Sequence, residues 1–358
     1  MAKGFVDYDK RLQGVPGPLW TKIANIDELK GQWVASGALS PQILGQLKQS
    51  VLITSAGAST RIEGAKLSDD DVERLMRGLA VNKFTDRDQQ EVRGYFELLE
   101  NIFDSWKTLS LSENLIQHFH QELLKYVEKD SLHRGNYKKT ENTVIMIDDA
   151  GNSIGTLFQT TPAYLTAKEM QELVEWTKQA YDRKSHHPLL ILANFVIDFL
   201  NIHPFQDGNG RMSRVLTNFM LLKQGYLYAP YVSQEKIIET HKVDYYVALR
   251  KSQKTFKTEH EDIAPWLDFF LSVLLQQAQA AIDLLTGANI EMLLSPKQLA
   301  VWRYLQQVDE AAPGQIQEHT AIARATVNQA LDKLVRLKKV EVLGQGRATR
   351  YRVQKGSK

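Results

Sequence analysis

The stretch "NIHPFQDGNGRMSR" (201–214) joins two apolar segments, "HPLLILANFVIDFL" (187–200) and "VLTNFMLLKQGY" (215–226). Both flanks read as core helices. Asp207, Gly208, Asn209 and Gly210 suit a turn between them. A plain turn needs neither the histidine at its start nor the two arginines at its end. Gly208 and Gly210 leave backbone N–H groups open just before a helix, whose first N–H groups and dipole favour an anion. Arg211 and Arg214 are three apart and share one face of that helix. This reads as a polyphosphate cradle. It is not a P-loop, because the chain has no G-x-x-x-x-G-K-S/T.

Asp207 stands beside the cradle. A carboxylate next to phosphates is the usual protein ligand of Mg²⁺, which keeps several of its waters. His203, four residues earlier, is placed to take a proton from an incoming hydroxyl near neutral pH. Pro204 stiffens the loop through its locked φ, and Phe205 is expected to plug the core. Base, metal carboxylate, anion cradle and arginines together read as a phosphate-group transfer site.

The residues "HPFQDGNGRMSR" (203–214) resemble the Fic motif, His-Pro-Phe-x-(Asp/Glu)-Gly-Asn-Gly-Arg-x-x-Arg, without a departure. The resemblance covers roughly residues 50–275. It implies a mainly α fold and an adenylyltransferase that moves AMP from ATP to a Ser, Thr or Tyr hydroxyl of a target protein. By the same resemblance His203 is the base, and Asp207 holds Mg²⁺ against the α- and β-phosphates. Gly208, Asn209 and Gly210 form the anion hole. Arg211 takes the β-phosphate and Arg214 the γ-phosphate, and Met212 and Ser213 complete the ATP-binding set. Relatives that phosphorylate carry lysine where this chain has Gly210, so AMP transfer is implied.

"GNYKKTENTVIMIDDAGNSIGTLFQT" (135–160) breaks the helical pattern and reads as a hairpin turning at Asp-Asp-Ala-Gly. The resemblance makes it the flap that docks the target as an added strand. Tyr245 and Tyr246 match a tyrosine pair near the adenine, and read equally well as aromatic core residues. Elsewhere "SENLIQHFHQELLKYVE" (112–128) and "TAKEMQELVEWTKQAYD" (166–182) have helical periodicity, with Thr166 as expected N-cap of the second. Ser68 before "DDDVERLM" is an acid-loaded helix start.

"STRIEG" (59–64) puts Ser59 and Glu63 one above the other on a helix that Gly64 can end. By itself it reads as a capped, solvated helix end. Beside the Fic motif it resembles the family's inhibitory element, (Ser/Thr)-x-x-x-Glu-(Gly/Asn), in which the glutamate pairs with the second motif arginine, here Arg214. That pairing would keep Arg214 from the γ-phosphate.

The chain has 358 residues, 43% of them hydrophobic, and no cysteine, which excludes disulfides and thiolate sites. The start "MAKGFVDYDKRL" has no apolar h-region, and the apolar stretches are interrupted by Asn194, Asp198 and Asp268. A cytoplasmic protein without membrane association is expected. Residues 321–358 carry ten Lys/Arg against Asp332 and Glu341, a net charge of +8 on a chain whose total is +2. That tail reads as helix, helix, helix, hairpin. This is a winged helix-turn-helix pattern, with Arg324 and Asn328 on the recognition helix and Arg347 on the wing. The expected order is an N-terminal helical region (1–110) with the inhibitory helix at 55–64, a Fic domain (111–285), and a winged helix-turn-helix domain (290–358).

Mg²⁺ and ATP are the implied cofactor and co-substrate. Self-modification and a homodimer are left open, as is DNA binding through the tail. Two rivals remain: AMP removal or transfer of another nucleotide on the same fold, and a DNA-binding regulator with a nucleotide-sensing body.

Overall fold

The computed structural model describes residues 7–36, 39, 41–78, 87–147, 153–285, 294–337, 339–344, 346 and 349–354. The chain forms two compact units, residues 1–36 with 52–282, and residues 37–51 with 283–358. The fold is mainly helical. Among the described residues no helix is long and apolar enough to cross a membrane.

The first unit holds α1 (Tyr8–Leu12), α2 (Gly17–Ser36), the C-terminal part of α3 (Pro41–Ile62), α4 (Asp69–Met76), α5 (Arg87–Ser105) and α6 (Glu113–Leu123). The hairpin β1 (Thr143–Ile147) and β2 (Ser153–Gln159) follows. Then come α7 (Ala163–Arg183), α8 (Pro188–Ile202), α9 (Asn209–Lys223), α10 (Gln234–Thr240), α11 (Lys242–Gln253) and α12 (Ala264–Leu285) as far as Ile282. At its centre lie α8 and α9. Residues Leu189–Ile202 are all buried, as are Arg211–Leu222. A helix buried on every face must sit inside the bundle, so the loop joining these two is anchored at both ends in the core.

Neighbouring helices pack closely around that pair. A Cβ on Gly94 of α5 would stand 2.0 Å from the Leu123 carbonyl of α6, so only glycine permits this crossing. Burying α8 also buries Asp198, which α1 answers. Arg11 pairs with Asp198, donates to Asn194 Oδ1 at 2.7 Å and reaches Glu261 at 3.2 Å. Ser68 caps α4 in a reciprocal box with Asp71, at the acid-loaded helix start read from the sequence.

The helix expected after Thr166 begins earlier, at Ala163. Pro162 starts it, and the Ala163 N–H is capped by the Glu141 carboxylate at 3.0 Å from before the hairpin. Thr166 lies inside the helix and donates to the Pro162 carbonyl. The hairpin itself is antiparallel, with Thr143 opposite Gln159 and Val144 opposite Phe158. Its Asp-Asp-Ala-Gly turn lies outside the described residues.

The second unit holds α13 (Pro296–Gln307), α14 (Pro313–Thr320), α15 (Arg324–Arg336) and the antiparallel pair β3 (Val340–Leu343) and β4 (Arg350–Val353). Its core is built on Val301, Trp302, Ile316, Val327, Leu331 and Leu334. Ser295 and Gln298 form a capping box at the start of α13, with Pro296 in the first turn. Arg324 and Asn328 are exposed on α15. Arg347 and residues 286–293 lie outside the described residues.

Candidate active site

The loop between α8 and α9 is shaped first by proline. Pro204 disfavours helix at the residue before it, and His203 closes α8 in the left-handed region at φ 53°. Its N–H donates to the Phe199 carbonyl at 2.9 Å. The ring Nδ1 lies 3.3 Å from the Leu200 carbonyl. A carbonyl only accepts, so Nδ1 carries the proton and the Nε2 lone pair is free. Burial pushes the imidazole pKa down to about 4, which keeps the ring neutral at physiological pH.

Phe205 fills the core beneath the loop, fully buried. It stacks on His120 of α6, with ring centroids 3.8 Å apart and planes 5° from parallel. His120 Nδ1 accepts the Gly135 N–H at 2.8 Å, and Nε2 then donates to the Asp207 carbonyl at 3.0 Å. Burial lowers this histidine to about 4 as well. Asn209 clamps the loop from the other side: Oδ1 accepts the Phe205 N–H at 2.9 Å and Nδ2 donates to the Phe205 carbonyl at 2.8 Å. Its side chain is therefore committed, and what it can offer an anion is its backbone N–H. Gly208 stands at φ 79° as the N-cap residue of α9, and no side chain caps that helix. The first N–H groups of a helix have no internal acceptor.

Asp207 sits in a closed ring of alternating charges. Its Oδ2 is 2.6 Å from Arg87 Nη2 and 3.1 Å from Arg211 Nη2. Arg211 Nη1 lies 2.8 Å from Glu91 Oε2, and Glu91 Oε1 accepts from Arg87 Nε at 2.7 Å. Burial pulls the Asp207 carboxyl up, yet Arg211, the Gly208 N–H and Arg87 hold it below the usual range. The Asp207 side chain keeps 40% exposure, so it stays open to solvent.

Arg214 is buried and engaged by α3. Nε donates to Ser59 Oγ at 2.8 Å, and Nη2 donates to the Ser59 carbonyl at 2.9 Å and to Glu63 Oε1 at 2.8 Å. Burial disfavours its charge, but the Glu63 carboxylate together with Tyr245 and Tyr95 outweighs this and raises its pKa. Nη1 is buried with no hydrogen-bond partner among the described residues. A guanidinium with a spare buried donor is a site still owed an acceptor. Glu63 also stands over the first turn of α9: a Cβ on Gly210 would come within 2.2 Å of Glu63 Oε1.

The end of α3 is held further by Tyr246, whose hydroxyl donates to the Ile62 carbonyl at 3.2 Å, and by Lys242, which donates to the Arg61 carbonyl at 3.3 Å. Arg61 bridges Glu239 at 2.5 Å and Asp69 at 2.7 Å. Tyr245 is buried against Trp266 and Phe269. Met212 is buried with its N–H on the Gly208 carbonyl, and the Ser213 hydroxyl donates to the Gly210 carbonyl at 2.7 Å. The structure thus brings His203, Asp207, Gly208–Arg211, Arg214, Ser59 and Glu63 to one place. It adds His120, Arg87 and Glu91, for which the sequence pattern carries no signal: His120 occupies a core position on an ordinary amphipathic helix.

Residues 110–221 match the model of the Fic/DOC family, and that segment contains the whole 203–214 loop. A probable protein adenylyltransferase of Aquifex aeolicus is 26% identical over 186 residues, half of this chain and 51% of the relative. A protein adenylyltransferase Fic of Aedes aegypti is 30% identical over 125 residues, 34% of this chain and 21% of the relative. The chain spans about half the length, or less, of the curated relatives it matches. Among solved structures, a Fic family protein from Desulfovibrio desulfuricans superposes with a TM-score of 0.63 at 22% identity, covering 96% of this chain and 98% of that one. Fic-1 of Caenorhabditis elegans superposes at 0.61 with 17% identity, covering 76% and 74%. Residues 110–221 are therefore similar to the Fic/DOC family, and the chain has relatives named protein adenylyltransferases.

Proposed function

We propose that this Fic-domain protein transfers AMP from ATP to a Ser, Thr or Tyr hydroxyl of a protein, and that Glu63 holds the reaction off. One observation carries the reading. A neutral histidine with a free Nε2, an open carboxylate and the uncapped start of α9 with two buried arginines converge on a single loop.

In this reading the N–H groups of Gly208–Arg211 and the arginine side chains receive the polyphosphate. His203 Nε2 accepts the proton of the target hydroxyl. The hydroxyl oxygen bonds the α-phosphorus, the bond from that phosphorus to the β-phosphate oxygen breaks, and pyrophosphate departs. The His203 proton then returns to solvent. Asp207 would fit Mg²⁺ as a part-exposed carboxylate beside the cradle, which suits an ion that takes few protein ligands. When bound, Mg²⁺ neutralises charge on the phosphates. Tyr246 stands at the edge of the same site, and Tyr245 backs it from the core.

Glu63 on Arg214 supports the autoinhibited form. A γ-phosphate reaching Arg214 would meet a carboxylate already paired there, and the triphosphate would seat out of line for attack. Misplacement of about 1 Å costs on the order of 10²-fold in rate. The test of reaction type is a dual-label assay. ATP labelled at the α-phosphate should leave its label on protein and ATP labelled at the γ-phosphate should not; the reverse pattern would make the enzyme a kinase.

The second unit supports a winged helix-turn-helix that binds duplex DNA through Arg324 and Asn328, exposed at the start of α15. Its affinity for a duplex should fall steeply with salt, and Arg324→Glu should flatten that slope by about one phosphate contact. Binding that ignores salt and this substitution would point instead to a protein-docking role.

A further inference from the structure

The carbonyls of the catalytic loop are held in sequence by two residues outside the motif. Lys138 Nζ donates to the Ile202 carbonyl at 3.0 Å, and the Lys138 backbone N–H donates to the Pro204 carbonyl at 2.8 Å. Asn142 Nδ2 donates to the Phe205 carbonyl at 2.8 Å and lies 3.4 Å from that of His203. The remaining two protons of the Lys138 ammonium go to Asn142 Oδ1 at 2.8 Å and Thr160 Oγ1 at 2.9 Å. The Thr160 hydroxyl in turn donates to the Asn142 carbonyl at 2.7 Å. Asn142 directly precedes β1 and Thr160 directly follows β2. One ammonium thus ties both feet of the hairpin to the residue before His203.

Placing a lysine there is costly. Lys138 is only 4% exposed, and its three hydrogen-bond acceptors are an amide, a hydroxyl and a peptide carbonyl, none of them charged. Burial brings its pKa down to about 8, partly opposed by Glu141 and Glu169. A buried ammonium without a bonded carboxylate is expensive and calls for a reason. The reason is at hand: His203 sits in the left-handed region, which a non-glycine residue holds only when its surroundings over-determine it.

We propose that Lys138 is a positioning residue. Its ammonium fixes the backbone on either side of His203 to the root of the hairpin, so that the imidazole is aimed and the hairpin and the base move as one body. A target strand docked on the hairpin would then be registered against His203 through Lys138. The proposal rests on the adenylyl-transfer reading for its activity readout only.

The test uses the full chain in a Glu63→Gly background, comparing Lys138→Met and Thr160→Val with the parent. Lys138→Met should lower kcat about 100-fold with KM for ATP changed less than about 2-fold. Thr160→Val, which removes one acceptor and keeps the shape, should lower kcat less and in the same sense. In histidine-labelled protein, NMR should show the His203 ring as a single Nδ1–H tautomer in the parent and shifted or averaged in Lys138→Met, with the His120 tautomer unchanged as evidence of an intact fold. A Lys138→Met protein with parental kcat, or with an unchanged His203 spectrum, would overturn the proposal. If Lys138→Met does not fold, Thr160→Val decides by the same two readouts. If the parent shows no transfer at all, the transfer reading fails and the tautomer comparison still decides the role of Lys138.

Discussion

Glu63 Oε1 lies 2.8 Å from Arg214 Nη2 and sits directly over Gly210, where any side chain would collide with it. On the proposed reading, a single carboxylate closes the cradle twice, by charge at the arginine and by volume at the first turn of α9. Ser59 shares the arginine from one turn earlier, through its hydroxyl at 2.8 Å and its carbonyl. Ser59→Ala removes one hydrogen bond to a charged group, worth about 1.5–3 kcal/mol, and leaves Glu63 in place. Its transfer rate should fall between wild type and Glu63→Gly, as read by initial-rate labelling. A rate equal to wild type would confine the brake to Glu63.

Arg87 donates to Asp207 Oδ2 at 2.6 Å, and on the proposed reading it competes with Mg²⁺ for that carboxylate. Because the pair is partly exposed, the contact is worth about 0.2–1 kcal/mol. Arg87→Ala should tighten Mn²⁺·ATP binding about 2- to 5-fold in an EPR titration. Weaker binding would make Arg87 a phosphate ligand in its own right.

His120 is buried and neutral, with its pKa lowered from 6.5 to about 4 by desolvation. A group that is harder to charge when folded stabilises the fold above its unfolded pKa, and that contribution is lost as pH falls. Between about pH 6.5 and pH 4 the His120 share amounts to roughly 3 kcal/mol. Denaturant unfolding at pH 7.5 and pH 4.5 should show a loss that is smaller by about this amount in His120→Gln. Equal losses in both proteins would show that His120 does not carry the acid sensitivity.

Arg11 and Asp198 form a buried pair linking α1 to α8 five residues before His203. Removing one partner leaves a buried charge uncompensated, at a cost of about 3–5 kcal/mol. Arg11→Ala should lower the melting temperature sharply, and Asp198→Asn in the same chain should recover most of the loss. Additive losses would contradict the pairing as the source.

The grouping of residues 203–214 was legible because they are contiguous, so spacing alone brings His203, Asp207 and the two arginines to one loop and the helix start that follows it. Ser59 and Glu63 were legible as a helical face, and Arg214 as a partner only through the family resemblance. The groups brought in by packing left no local trace. His120 and Glu91 lie at buried positions of amphipathic helices, and Lys138 reads as one basic residue in a polar stretch. The start of α7 was misplaced because its cap comes from Glu141 across the hairpin, while Thr166 has the local appearance of a cap.

The most direct measurement is the intact mass of wild type, Glu63→Gly and His203→Ala after incubation with Mg²⁺, ATP and a cell lysate as target source, with lysate proteins followed by α-phosphate label. The expected result is AMP on protein with Glu63→Gly, little with wild type and none with His203→Ala. Equal labelling by wild type and Glu63→Gly would contradict the brake. No label from any of the three would contradict the transfer reading.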